Sequence, residues 1–248
     1  MNLDLFFSEH TRAALAFSGG VDSAYLLYKA VSCGCDVHAY YVKSAFQPQF
    51  ELEDAKRLAK ELGANMTVIE LDVLSDQVIC SNPADRCYHC KKKIFSAILE
   101  TAREAGYTLL LDGTNASDDV SDRPGMKALT ELSVRSPLRE CGLSKDEIRR
   151  LSKEAGLFTW DKPAYACLAT RIPAGAKITA EKLSVTETAE GYLTELGFSD
   201  FRIRMSGTEA KIQAQEKDLE KLLLYRRNIL ETLKPFYSAV TVDLEVRS

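Results

Sequence analysis

The 248-residue chain is 46% hydrophobic, enough to fill the core of one large domain or of a medium domain with a small companion, and it reads as globular rather than disordered. A formal net charge of −4 argues against a broad electrostatic footprint for nucleic acid and leaves room only for a local basic groove. No run of about eighteen apolar residues is present, and Met1-Asn2-Leu3-Asp4-Leu5-Phe6 has neither the basic flank nor the cleavage site of a secretion signal, so the cytoplasm is the expected compartment. Seven cysteines are an odd number in a chain with no need of disulfides, which makes clustered cysteines candidates for metal or redox chemistry.

Residues 2–11 read as a short leading helix. Ala13-Ala14-Leu15-Ala16-Phe17 is an apolar run with the character of a buried parallel strand; Gly19 and Gly20 break it, and Asp22 and Ser23 open a stretch of helical period over 24–30. Two glycines let the backbone approach a ligand, and the first N–H groups of a helix have no partner within it. The turn therefore suits an anion such as a pyrophosphate. It lacks the lysine of a Walker A loop, so the grip that lysine gives on a γ-phosphate is missing. Cys33 and Cys35 flank a helix-ending glycine and are expected to pack as small apolar groups. A β-rich run at 37–42, helical spacing at 51–62 and a third strand at 66–71 complete a β-α-β-α-β order. Such alternation predicts a doubly wound parallel sheet, with ligands at the carboxyl ends of the strands, where the glycine loop lies.

Asp85-Arg86-Cys87-Tyr88-His89-Cys90-Lys91 opens a helical stretch to about 106. Its C-x-x-C spacing is half a metal site, since a zinc ribbon needs a second pair and the chain has none; Cys80, His89 or Cys167 would have to complete it. Residues 108–111 form a fourth strand, followed by the polar cluster Asp112-Gly113-Thr114-Asn115-Ala116-Ser117-Asp118-Asp119 on the same edge as the glycine loop. Its carboxylates suit magnesium and its hydroxyl and amide groups suit a nucleotide, although an Asx-turn loop reads the same way. Asp122-Arg123-Pro124-Gly125 continues as a turn and adds one cation, 133–138 is a short fifth strand ending at Pro137, and Ser144-Lys145-Asp146-Glu147 is a capping box. Cys141 reads as structural.

The segment from Trp160 to Gly175 carries Pro163, Pro173 and little periodicity, which marks an extended, irregular and functional stretch. Cys167 stands in it, with Thr170 and Arg171 three and four positions beyond, so an anion held by the arginine would lie near the thiol; a buried structural cysteine is the competing reading. From 178 the pattern changes to a helix (179–196), two β-runs (201–204 and 210–213), a helix (216–233) and a final strand (239–245). A boundary near 175 gives a first domain over 1–175 and a small α-β-β-α-β domain over 176–248. Arg202 and Arg204 alternate on a strand and share a face, which suits an anion grip, while the ordinary fate of such a pair is a solvated face or an ion pair with Glu190 or Glu209.

Ser18-Gly19-Gly20-Val21-Asp22-Ser23 matches the SGGxDS loop of the PP-loop ATP pyrophosphatases, whose fold is adenine nucleotide α-hydrolase-like and which cleave ATP between its α and β phosphates. Together with the Cys87 to Cys90 segment, Asp112-Gly113-Thr114-Asn115, Arg123-Pro124-Gly125, Ser136-Pro137-Leu138, Trp160-Asp161-Lys162-Pro163 and Ala166-Cys167-Leu168-Ala169-Thr170-Arg171-Ile172-Pro173, it makes nearly the whole chain resemble the LarE family of ATP-dependent sulfur transferases. The resemblance implies adenylation of a carboxylate of pyridinium-3,5-biscarboxylic acid mononucleotide and its conversion to a thiocarboxylate, on the route to a nickel-pincer nucleotide cofactor. It implies ATP and Mg2+ as cofactors and a small-molecule nucleotide as substrate.

By the same resemblance Asp22 and Cys167 are catalytic, Ser18, Gly19, Gly20, Asp22, Ser23, Thr114 and Asn115 bind the nucleotide, and Asp22 and Asp118 hold magnesium. Thr170, Arg171, Glu190, Arg202 and Arg204 surround the substrate phosphate, although Met205-Ser206 stands where the family commonly has histidines. Two sulfur sources are implied: Cys167 itself, left as dehydroalanine, or a 4Fe-4S cluster on Cys87, Cys90 and Cys167. The presence of all three cysteines favours the cluster, and the thiol centre is expected between the loops at the sheet's carboxyl edge. Rivals are an ammonia-dependent ligase of the NAD or GMP synthetase kind, a tRNA-thiolating enzyme, for which the acidic balance is unfavourable, and a non-catalytic nucleotide-binding module. No nucleic-acid or membrane partner is expected, and a homo-oligomer is compatible with the sequence.

Overall fold

Helix α1 (Leu3–Glu9) begins the chain in the computed structural model, which describes residues 2–118 and 124–247; the Asn2 side chain caps it, and it buries Leu3, Phe6 and Phe7. Strand β1 (Arg12–Ala16) follows, then α2 (Val21–Ser32), β2 (Asp36–Lys43), α3 (Gln49–Glu61) and β3 (Asn65–Glu70). The short α4 (Gln77–Cys80) leads to α5 (Arg86–Glu104), β4 (Leu110–Leu111), α6 (Pro124–Glu131), α7 (Pro137–Glu140) and α8 (Lys145–Glu154). Beyond these come α9 (Ala180–Glu195), β5 (Arg202–Ser206), β6 (Glu209–Gln213), α10 (Leu219–Leu224), α11 (Arg226–Leu233) and β7 (Val240–Val242).

Two compact units emerge, Met1–Val73 with Asp85–Lys162, and Leu74–Ala84 with Pro163–Ser248. In the first, four parallel strands lie in the order β3-β2-β1-β4. β1 reads as an unbroken apolar run because both of its faces are covered. Ala13 and Leu15 pack into one core with residues of α2 and α3, while Ala14 packs on the other side with Phe95 and Ile98 of α5 and Leu129 of α6. Helices on both faces make the sheet doubly wound, as the alternation of the sequence predicts.

The expected fifth strand is reduced to a single bridge between Leu111 and Arg135, because Pro137 has no N–H for a ladder and instead starts α7. The Asp122-Arg123 turn and its cation lie outside the described residues.

In the second unit β5 and β6 are antiparallel, and α10 and α11 form the crossover to β7, which pairs parallel with β6. The helix expected over 216–233 is divided: a 3-10 turn (Glu216–Asp218) precedes α10, and the chain bends at Tyr225, whose ring packs edge-on against Phe198 at 6.4 Å. Leu74–Ala84 joins this unit through Asn82, which adopts φ +55° and is buried. Its side-chain amide donates to the carbonyls of Ile172 and Pro173, and its own carbonyl accepts from Gly175. Asparagine tolerates the left-handed region better than most residues, which is why the turn can form there.

Candidate active site

The glycine loop joins the carboxyl end of β1 to the start of α2. Gly19 has φ +73°, and a Cβ there would stand 3.1 Å from that of Ala55, so both backbone conformation and packing against α3 require glycine. Gly20 is the N-cap of α2 and has no side chain to satisfy the helix's first N–H groups, which leaves those donors for a ligand. The loop's shape is held by two serines. Ser23 Oγ donates to the Gly20 carbonyl (3.1 Å) and accepts from the Ser18 N–H (3.3 Å). With that proton committed, the 3.1 Å contact between the hydroxyls is a donation from Ser18 to Ser23, and Ser18 Oγ accepts from the Gly20 N–H.

The polar loop after β4 closes on the same helix start. A Cβ on Gly113 would lie 3.0 Å from the Ser23 nitrogen, so glycine is what allows the two backbones to meet. Asn115 Nδ2 donates to Asp22 Oδ1 (3.2 Å), and Lys145, the first residue of α8, donates to Asp22 Oδ2 (2.6 Å). Thr114 is directed to support: its hydroxyl donates to the buried Asp112, which also accepts from Ser136 Oγ (2.6 Å). Asp118 Oδ2 accepts the Asn115 N–H, and Asn115 Oδ1 accepts that of Ser117, so the cluster is an Asx-type loop as well as a ring of polar groups. Lys145 escapes a sequence reading because a lysine inside a capping box is an ordinary solvated residue until the fold brings it to Asp22.

In the second unit, Cys167 precedes a 3-10 turn (Leu168–Arg171), and its carbonyl accepts from both the N–H and the hydroxyl of Thr170. Its side chain is half-buried. Arg171 is 1% exposed and makes a bidentate pair with Glu190, Nε to Oε1 at 2.7 Å and Nη2 to Oε2 at 3.0 Å. Burial opposes the arginine's charge, but the hydrogen bonds and charge of Glu190 outweigh it and hold the pKa above the ordinary value; Cys167 adds in the same direction. Glu190 also accepts from Tyr165 Oη (2.5 Å) and the Ile203 N–H (2.9 Å).

Arg202 and Arg204 meet different partners. Arg202 donates to the carbonyls of Phe201 and Ala164, and Arg204 to Gln213 and the Thr170 carbonyl. Burial, then Arg171 and Arg247, lowers the pKa of both. Crowded cations bonded to neutral oxygens are a site short of negative charge, and an oxyanion would relieve it. Tyr165 lies against this cluster, its ring 4.7 Å from the Arg171 guanidinium and 5.1 Å from that of Arg202; no motif in the sequence singles it out.

Cys87 and Cys90 stand three residues apart among the first five residues of α5, Cys87 exposed and Cys90 half-buried, with Arg86 donating to Cys87 Sγ at 3.7 Å. Among the described residues no three His, Cys, Asp or Glu side chains are gathered as a metal ion requires. The C-x-x-C pair therefore offers two ligands rather than a set, and Asp22 already carries the Lys145 ammonium. Cys35 is buried against the His10 carbonyl, where desolvation pushes its pKa up to about 11, as suits a packing thiol. None of the described helices is long and apolar enough to cross a membrane.

Comparison with known proteins gives the site a context. A family model described as thiamine biosynthesis protein (ThiI) matches residues 8–193. The chain is 36% identical to an uncharacterised protein of Synechocystis, over 98% of this chain and 92% of the relative. It is 35% identical to the pyridinium-3,5-bisthiocarboxylic acid mononucleotide synthase of Lactiplantibacillus plantarum, over 94% of this chain and 86% of that one. A more distant likeness, 26% over 75% of this chain and 63% of the relative, is to one subunit of the glutamine-hydrolysing GMP synthase of Pyrococcus furiosus.

Proposed function

This chain belongs to the LarE family of ATP-dependent sulfur transferases, enzymes of the PP-loop type, and from that membership we propose that it adenylates a carboxylate of pyridinium-3,5-biscarboxylic acid mononucleotide and replaces it with a thiocarboxylate. The carboxylate oxygen attacks the α-phosphorus of ATP, the bond to the β-phosphate bridge breaks, and pyrophosphate leaves. Ser18, Gly19, Gly20 and Ser23 shape the loop whose N–H groups receive that charge, with Asp22, Thr114 and Asn115 ordering it. Asp22 and Asp118 would hold the magnesium that accompanies ATP, and its charge would offset that of the phosphates.

Adenylation turns a poor leaving group into AMP. The Cys167 thiolate attacks the acyl carbon and AMP departs with the C–O electron pair, which leaves a thioester. Removal of the α-proton of residue 167 then breaks the Cβ–S bond; the sulfur leaves with the product as thiocarboxylate and the residue becomes dehydroalanine. Arg202 and Arg204, supported by Thr170, Arg171 and Glu190, take the substrate phosphate. The observation that carries this reading is the half-buried Cys167 thiol beside a guanidinium, in a unit with two further crowded arginines.

Intact-mass measurement after one turnover tests it: loss of the mass of one hydrogen sulfide, located at residue 167, is expected. A second reading draws sulfur from a 4Fe-4S cluster on Cys87, Cys90 and Cys167, and the C-x-x-C spacing at the start of α5, with Cys87 exposed and Cys90 half-buried, favours it. Anaerobic purification separates the two, since brown protein with iron and sulfide, unchanged in mass through many turnovers, would support the cluster and reject the sacrifice of Cys167.

A further inference from the structure

Every acceptor position of Glu190 is taken. Its Oε1 accepts from Arg171 Nε (2.7 Å) and the Ile203 N–H (2.9 Å), and its Oε2 from Arg171 Nη2 (3.0 Å) and the Tyr165 hydroxyl (2.5 Å). A carboxylate offers about four such positions, so this one has no room for another donor. Arg202 is buried as Glu190 is, and the Tyr165 ring carries its guanidinium at 5.1 Å as well as that of Arg171 at 4.7 Å. The charge of Glu190 acts on Arg202 to raise its pKa, but burial and the charges of Arg171 and Arg247 outweigh it. The carboxylate is therefore near Arg202 while bonded elsewhere.

A buried guanidinium beside a carboxylate ordinarily pairs with it, yet the bonds of Arg202 go to the neutral carbonyls of Phe201 and Ala164. The donor that stands in the way is a phenol two residues before Cys167. We propose that Tyr165 is a positioning residue of the anion site: by occupying Glu190 Oε2, its hydroxyl keeps Arg202 from being neutralised within the protein and so holds that guanidinium's charge for a phosphomonoester. Its ring, attracted to both guanidinium groups, lets the two like charges stand close together. Without the hydroxyl, Oε2 has an open position on a buried carboxylate, and Arg202 turns to fill it. The inference rests on the reading above in which Arg202 and Arg204 take the substrate phosphate, and adds the residue that keeps one of them available.

Calorimetric titration of the full chain with pyridinium-3,5-biscarboxylic acid mononucleotide, and with the same nucleoside lacking its phosphate, tests the proposal. Tyr165→Phe keeps the ring and is expected to bind the nucleotide about ten-fold more weakly and the nucleoside as the parent does. Its urea midpoint should be no lower than the parent's, because an ion pair between Arg202 and Glu190 replaces the lost bond, and its single-turnover rate at saturating nucleotide should be unchanged. Parental affinity for the nucleotide overturns the proposal. Equal weakening toward nucleotide and nucleoside, or a lowered midpoint, marks a tyrosine that only supports the fold and overturns it as well. Tyr165→Leu, which loses the ring too, is expected to bind the nucleotide no better than Tyr165→Phe; weakening in Tyr165→Leu alone assigns the effect to packing and overturns the role of the hydroxyl. A parent chain that binds nucleotide and nucleoside alike overturns the substrate-phosphate reading itself.

Discussion

Glu190 gathers more of the second unit's polar chemistry than its place in a helix suggests: Arg171 on both oxygens, the Tyr165 hydroxyl and the Ile203 N–H. Reading the strand alone, one expects Glu190 or Glu209 to pair with Arg202 or Arg204; the structure gives Glu190 to Arg171 and leaves the strand arginines to carbonyls and Gln213. Glu190→Gln would leave a fully buried guanidinium without its counter-charge, and breaking such a pair costs about 3–5 kcal/mol. Urea denaturation should show that loss as a lowered midpoint. Cys35 allows a test by pH. Its thiol ionises near 9 in the unfolded chain and, because of burial and then Asp36, only at about 11 in the folded one. The native form thus keeps a proton that the unfolded form has lost, so this thiol's contribution to stability is whole below pH 9 and falls between pH 9 and 11. Denaturant midpoints of the parent should drop more steeply across that window than those of Cys35→Ala, by on the order of 2 kcal/mol.

Among the elements, the strand, loop and helix start around Ser18 to Ser23 are the most legible part of the chain, because an apolar run, two glycines and a helical period are all local signals. What sequence cannot supply is the reason each glycine is needed. Gly19→Ala forces a side chain into φ +73° and against Ala55, at a cost of about 1–2 kcal/mol, which a lowered melting temperature would register. Gly113→Ala meets the Ser23 backbone at 3.0 Å, and a helix start cannot yield as a side chain can. It is expected to lose about 1–3 kcal/mol of stability and to weaken ATP binding in a calorimetric titration, through displacement of Ser23 from the loop. The division of the 216–233 helix at Tyr225 is the opposite case: its residues are good helix formers, no local signal marks the break, and the ring contact of Tyr225 with Phe198 lies outside any local window.

At the level of the whole molecule, the nucleotide loop belongs to one unit and Cys167 to the other, so the two half-reactions should separate by mutation. Asp22→Ala is expected to abolish pyrophosphate release from ATP with the circular dichroism of the fold unchanged. Cys167→Ala should still release pyrophosphate in the presence of the carboxylate substrate but form no thiocarboxylate; undiminished conversion of that carboxylate to an amide when ammonia is supplied would favour the ammonia-dependent ligase reading. Sequence by itself determined the doubly wound class, the PP-loop and the family, because periodicity, turn chemistry and short motifs are written in neighbouring residues. Only the tertiary structure decided that Lys145 faces Asp22, that Glu190 neutralises Arg171 and that Leu74–Ala84 joins the second unit, since each joins residues far apart in the chain, whose meeting depends on how the whole backbone packs.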